Sequence, residues 1–405
     1  AGVLVLLSLF PMRAGWYEHD RTDFYVARDY AYNLLTPLAP DAVVFTNGDN
    51  DTYPLWYIQY VEGIRPDVRV VNLSLLNTAW YIRQVRDYPP RVRITVPDRE
   101  LDGLHGVILP SGKVVLVKDM MVHHILEQNP ERAIYIAVTV PELMELDNRL
   151  VMEGLVYRVE AEEGAPHRTD VEKTLRNLRE VYLYTGLLDE QGHYDKRVYK
   201  DSTARKLVQN YVVAYIEVAK TALQDGRSEL ALEALEAARR INPDFPAVLY
   251  TLGYLLMQRG DYARAEEVFR GMLDAGNASA EVHELLGAAL EAQRRGDEAE
   301  GIYRQALSRH PQNFDMHRIL FTLLWNQGRK QDAVDLIEDW LRRNPEDQTT
   351  RAALRQLQAD DSAGTAPQPS APRAGERGAA AGAAAGERGP AEGPAAGEPL
   401  PAEAP

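Results

Sequence analysis

A repeat with a period of 34 residues runs through the second half of this 405-residue chain and limits its fold more than any other feature. Ala231, Ala265, Ala299 and Ala333 stand in one register, and Leu235, Phe269, Tyr303 and Ile337 in another. Pro243, Asn277, Pro311 and Pro345 close the units. On the preceding side, Val218, Leu252, Leu286 and Leu320 are each followed by Ala219, Gly253, Gly287 or Phe321. Small residues at fixed positions let two helices cross closely, a large apolar residue fills the space beside them, and proline ends a helix. One such helix pair cannot bury its own apolar face, so pairs must stack on their neighbours. Phe321 breaks the small-residue rule, so the last unit is expected to pack differently there, as a cap.

This is the pattern of tetratricopeptide repeats, about four of them over residues 206–358. They predict an all-α solenoid. Residues 359–405 are Ala, Gly, Pro, Glu and Arg with almost no large apolar side chain. Such a segment cannot bury enough surface to offset its ordering entropy, and a disordered tail is expected.

Ahead of the repeats the texture differs. Val3 to Phe10 is almost wholly apolar and stops at Pro11-Met12-Arg13. A bilayer span takes ~20 apolar residues, so residues 1–13 read as the end of a transmembrane helix begun before Ala1. Trp16 and Tyr17 follow where interfacial aromatics belong. A helix capped by Thr22 and carrying Phe24, Ala27, Ala31, Leu34 and Leu35 on one face should end at Pro37. Residues 42–46, Val68 to Leu73 and Ala133 to Val138 read as buried strands, with helices at 53–62, 77–86 and 118–129 between them. Residues 91–117 change character, and Pro110-Ser111-Gly112 marks a hairpin within a small mixed-strand insertion. A short helix at 141–146 and a strand around 151–158 close the unit. Strand–helix alternation at this spacing predicts a Rossmann-like α/β domain over residues 14–160, with a mostly parallel sheet of four or five strands. Residues 161–205 read as a linker with bridging helix at 171–183.

Chemistry is expected first where strands end and helices begin. Asn47-Gly48-Asp49-Asn50-Asp51-Thr52 follows the first strand and is rich in oxygen ligands. It suits a divalent cation, which wants several hard oxygens at one point. It suits equally hydrogen bonding to sugar or phosphate. A third reading, which we favour, has Asn47 and Asp49 making the turn while Asp51 or Thr52 caps the next helix. Asn72, Ser74 and Asn77 end the second strand in the same way, and if the strands are neighbours they face the same crevice. Trp56 and Trp80, with Tyr57, Tyr60 and Tyr81, either line a sugar platform or cover the sheet. His123 and His124 are adjacent and point about 100° apart on a helix, so they do not share a metal ion. No nucleophile elbow, phosphate loop or dinucleotide fingerprint is present, and no catalytic residue can be named.

The formal net charge of −15 excludes a nucleic-acid partner, which would want a basic face. With no cysteine, disulfides and zinc–thiolate sites are excluded.

Three stretches carry a family resemblance: Thr46-Asn47-Gly48-Asp49-Asn50-Asp51-Thr52-Tyr53-Pro54-Leu55-Trp56-Tyr57, Asp67 through Thr78, and Met152-Glu153-Gly154-Leu155-Val156-Tyr157-Arg158. In these the chain resembles the C-terminal part of bacterial membrane proteins related to protein O-mannosyltransferases, of the GT-C glycosyltransferase type. The resemblance covers roughly residues 1–210. It implies a multispanning N-terminal region, outside this chain, that binds a lipid-linked sugar and holds the acidic catalytic residue. It also implies a bacterial inner-membrane protein whose soluble part is extracytoplasmic, with the repeats receiving a protein or peptide partner. Two rival readings are a non-catalytic interaction scaffold and a soluble enzyme acting on nucleotide sugars, which the missing glycine-rich loop disfavours.

Overall fold

The computed structural model of the chain describes residue 13 and residues 15–141, 145–166 and 168–362. The apolar run at Val3 to Phe10, the centre of the helix expected at 141–146 and the tail beyond 362 lie outside the described residues. Among the described residues no helix is long and apolar enough to cross a membrane. The chain divides into two units, Ala1–Val248 and Leu249–Pro405.

The first unit opens with α1 (Val26–Leu35), β1 (Val43–Thr46), α2 (Asp49–Tyr60), β2 (Arg69–Asn72) and α3 (Ala79–Asp87). Then come α4 (Asp98–Leu101), β3 (Val107–Ile108), β4 (Val114–Val115), α5 (Val117–Gln128) and β5 (Ile134–Ala137). The unit continues with β6 (Leu150–Met152), β7 (Val156–Val159), β8 (Arg168–Thr169), α6 (Val171–Arg176), α7 (Ser202–Gln224) and α8 (Ser228–Ile241).

The main sheet has six strands in the order β2-β1-β5-β7-β6-β8. β1, β2 and β5 are buried along their whole length, which is why they read as continuous apolar runs. β1 runs parallel to both β2 and β5. Beyond β5 the pattern changes, because β7 is antiparallel to β5 and to β6. The sheet is therefore mixed, not mostly parallel, and has more strands than expected. The segment read as one strand near 151–158 is in fact a hairpin that turns at Glu153-Gly154-Leu155. Gly154 has φ +94°, a left-handed backbone that favours glycine. A Cβ there would collide with the Tyr182 hydroxyl, which accepts the Leu155 N–H at 3.1 Å.

Three local expectations need correction. Thr22 does not cap α1; its N–H is held by Asp20 at 2.9 Å, and the helix starts after Tyr25 without a side-chain cap. Phe24 and Ala27 lie outside the deeply buried face, which Tyr30, Ala31, Leu34 and Leu35 form. Arg91 to Val96 joins no sheet. It is held instead by Asn129, which accepts the Arg93 N–H at 3.0 Å and donates to Arg93 O at 2.9 Å.

Residues 161–205 contribute β8 to the sheet and fasten to α1. Asp29 accepts the Thr185 N–H at 2.8 Å, and Asn33 accepts the Leu183 N–H at 2.7 Å. Asn33 also donates to the Tyr211 hydroxyl on α7 at 2.8 Å, and Asn210 to that of Tyr30 at 2.9 Å. Tyr30, Tyr182 and Tyr184 pack edge-on around Tyr211. The first repeat pair, α7 and α8, thus lies in the first unit with the α/β layers.

The second unit holds the remaining helices: α9 (Pro246–Gln258, which starts just before it), α10 (Tyr262–Asp274), α11 (Ala280–Ala292), α12 (Gly296–Arg309), α13 (Phe314–Asn326), α14 (Lys330–Arg343) and α15 (Gln348–Ser362). Two of their crossings pair a glycine with a ring. Gly253 faces the ring of Phe269, and Gly287 that of Tyr303, so closely that a Cβ would enter either ring. The last repeat departs from this pairing. Phe321 is only partly buried, packing against the cluster of Ile337, Trp340, Leu341 and Leu354 and stacking on Trp325.

Candidate functional site

The parallel register pairs Thr46 with Asn72, so the ends of β1 and β2 lie side by side. α2 starts at Asp49, which puts Asp51 at its third position. Its carboxylate reaches back to accept the Gly48 N–H at 3.0 Å and the Asn47 N–H at 3.3 Å. An acid at this place satisfies free N–H groups at the helix start and complements the helix dipole. Thr52 does not cap. Its hydroxyl meets that of Thr46 at 2.7 Å and accepts from Asn72 Nδ2 at 3.0 Å.

Asn72 is 2% exposed, and its amide is fully engaged. Nδ2 also approaches Asn47 O at 3.4 Å, while Oδ1 accepts the Leu75 N–H at 2.9 Å. Ser74 donates to Asn47 O at 3.0 Å. Asn77 donates weakly to Leu73 O and Ser74 O, and its Oδ1 accepts the Lys118 N–H at 3.0 Å. The structure therefore brings Asn47, Asp51, Asn72 and Ser74 together, but they spend their hydrogen bonds on one another. Asp49 and Asn50 stand apart from this knot, exposed on the first turn of α2. Asp49 accepts a hydrogen bond from Tyr53, which raises the Tyr53 pKa.

Two further residues join the knot: Thr139, which the sequence did not single out, and Tyr81, which it offered only as one of the aromatic cluster. Thr139, just past β5, donates its hydroxyl to Asp51 Oδ2. Tyr81 accepts the Asn72 N–H at 3.0 Å, and burial pushes its phenol pKa up. Thr139 becomes findable once β5 is known to adjoin β1, since the two strands then end on the same rim.

Trp56 is half-buried beside Tyr53, ring centroids 5.7 Å apart, whereas Trp80 is 55% exposed and packs edge-on against Tyr81. His124 Nε2 accepts the Thr95 N–H at 3.1 Å, and burial lowers its pKa. Among the described residues no three His, Asp or Glu side chains are placed to hold a metal ion. In the second unit an open groove of about 740 Å³ is lined by Glu291, Arg295, Glu298, Leu323, Gln327 and Arg329. Arg295 is paired with Glu266 and Glu298, and Arg329 with Glu300 and Asp332.

Comparison with known proteins divides along the same line. Residues 222–289 and 284–348 match the family Tetratricopeptide repeat, so the second half is a repeat protein by sequence family as well as by fold. Residues 27–89, which run from α1 through the β1–α2–β2 knot to α3, match the family TMEM260-associated domain 2. The chain is also 31% identical over 117 residues to the mouse protein O-mannosyl-transferase TMEM260, an alignment covering 29% of this chain and 16% of that relative. Together these make it a repeat-bearing chain with similarity to an O-mannosyltransferase. Among solved structures it is similar to MamA from Desulfovibrio magneticus RS-1, at 15% identity and a TM-score of 0.30 over 36% of this chain and 86% of that one. A MamA structure from strain AMB-1 is 23% identical, with a TM-score of 0.30 over 36% of this chain and 82% of that one.

Proposed function

We propose that this chain is the extracytoplasmic C-terminal region of a membrane glycosyltransferase-like protein related to protein O-mannosyltransferases. It supports sugar transfer, while the catalytic centre and the lipid-linked sugar belong to a multispanning part outside the chain. The α/β unit lies beside that part, and the repeats recruit a protein acceptor or partner. The observation that carries the reading is the match at residues 27–89, because it falls on the strand-end rim and not only on the repeats. In open α/β sheets this rim is where ligands gather. The bacterial inner membrane is the proposed setting. The test is a transfer assay with a lipid-linked sugar donor. The complete native protein should transfer sugar and this chain alone should not; activity of the chain alone overturns the proposal.

A second reading, a non-catalytic scaffold, is favoured by the way Asp51 and Asn72 are consumed in internal hydrogen bonds. The exposed pair decides between them. Asp49→Ala with Tyr53→Phe in the complete protein should lower transfer if the rim shapes a site, and leave it unchanged if the unit is only a scaffold.

A further inference from the structure

The β3–β4 hairpin is a small ladder with apolar residues on both faces. Val107 pairs with Val115 and Ile108 with Val114, so the two pairs point to opposite sides. Ile108 is 71% exposed, and Val107, Leu109, Val114 and Leu116 are also exposed. A hairpin that packs on its own protein, or docks on another, covers one face and leaves the other polar. This one has no polar face.

Its charge is equally unusual. In a chain that is 26% charged, the stretch from Gly103 to Val117 carries a single Lys, Arg, Asp or Glu side chain. That residue is Lys113, and it forms an exposed ion pair with Glu145. A tip with two aliphatic faces and little charge complements the boundary between headgroups and acyl chains, where side chains reach hydrocarbon while the open hairpin edges and the ion pair stay hydrated.

The topology sets the hairpin on the strand-end rim. Its exit at Lys118 is bonded to Asn77, directly after β2, and Glu145 follows β5. Trp80 on the first turn of α3 and Tyr53, the fifth residue of α2, lie near the same rim, and both are exposed. Tyr and Trp prefer the headgroup layer, with the ring in apolar surroundings and the polar tip in water.

We propose that the β3–β4 hairpin inserts its aliphatic side chains shallowly, at the headgroup–acyl boundary of a lipid bilayer, and holds the strand-end rim, with Trp80 and Tyr53 at the headgroups, against the membrane surface. The proposal rests on no sugar chemistry and stands if the transferase reading fails. It would bring a lipid-borne substrate to the rim without a cationic patch.

The chain has no cysteine, so Ile108→Cys carries a single environment-sensitive fluorophore on the full chain. With phosphatidylcholine vesicles its emission should shift to the blue and become shielded from iodide, while a label at Glu346→Cys in the repeats stays unchanged. Ile108→Asp, at an exposed position that the fold does not need, should weaken vesicle partition roughly tenfold or more, from the loss of one buried aliphatic side chain. A 108 label that stays in water while the chain is vesicle-bound by another segment, such as Val3 to Phe10, overturns the proposal. So does a blue shift that needs no vesicles and grows with protein concentration, which would mark a contact between copies.

Discussion

Replacing Asn72 with alanine should unfold the α/β unit more easily while leaving its surface chemistry untouched. Asn72 is buried at the junction of β1, α2 and the turn after β2. The substitution removes two well-formed hydrogen bonds, to Thr52 at 3.0 Å and from Leu75 at 2.9 Å, and a weaker one to Asn47 at 3.4 Å. Each good bond contributes about 1 kcal/mol net, and a buried donor left without a partner costs about another 1 kcal/mol or more. The sum is about 2–4 kcal/mol, a large share of the stability of an ordinary domain. Urea unfolding followed by circular dichroism reads this as a midpoint lower by roughly 1 M, taking a slope of about 2–3 kcal/mol per molar. Asp49→Ala is the control. Asp49 is exposed and engages Tyr53, so its loss should cost no more than about 0.5 kcal/mol. If Asp49→Ala costs as much as Asn72→Ala, or if Asn72→Ala is nearly silent, the knot is not what holds the strand ends.

Two further predictions concern packing and pH. In the last repeat, Ile337→Phe should overpack against Phe321 by about 1–3 kcal/mol, and Phe321→Gly should open a cavity costing about 3 kcal/mol. The double variant recreates the glycine–ring pairing of the two preceding crossings, so its loss should be at least about 1 kcal/mol smaller than the two single losses added together; additive losses would show that positions 321 and 337 do not share a crossing. At the end of α1, the Arg65 guanidinium donates to Asp67 and holds its carboxyl at about 2, helped by the Asp41 N–H and opposed by partial burial. A depressed carboxyl stabilises the fold above its unfolded value of about 3.9, and that contribution is lost as pH falls toward 2. Asp67→Asn should therefore flatten the fall of the urea midpoint between about pH 4 and pH 2; an unchanged slope would show that the pair does not couple to folding.

The candidate site was half legible. The turn residues and the strand ends announced themselves through Asn47, Asp51 and Asn72, because a buried strand followed by capping residues is a local signal. Their hydrogen-bond partners did not. Whether Asp51 meets a ligand or the backbone of Asn47 and Gly48 depends on where α2 starts, and a shift of one or two residues reverses the answer. Thr139 joins only through the pairing of β5 with β1, more than eighty residues away in the chain.

The repeats lie at the opposite extreme. Each helix pair contacts its neighbours in sequence, so the 34-residue register of small and large residues already contains the packing partners. Even the departure at Phe321 is written in the chain, although only the packed structure shows which cluster that ring joins. In the α/β unit, sequence alone determined that the segments of β1, β2 and β5 are buried strands. The tertiary structure decided their order and direction, β2-β1-β5-β7-β6-β8, and turned one apolar run into the β6–β7 hairpin. The reason is range: a repeat buries its face against residues one period away, whereas a sheet edge is satisfied by any strand that reaches it, and only the competition among all of them selects one.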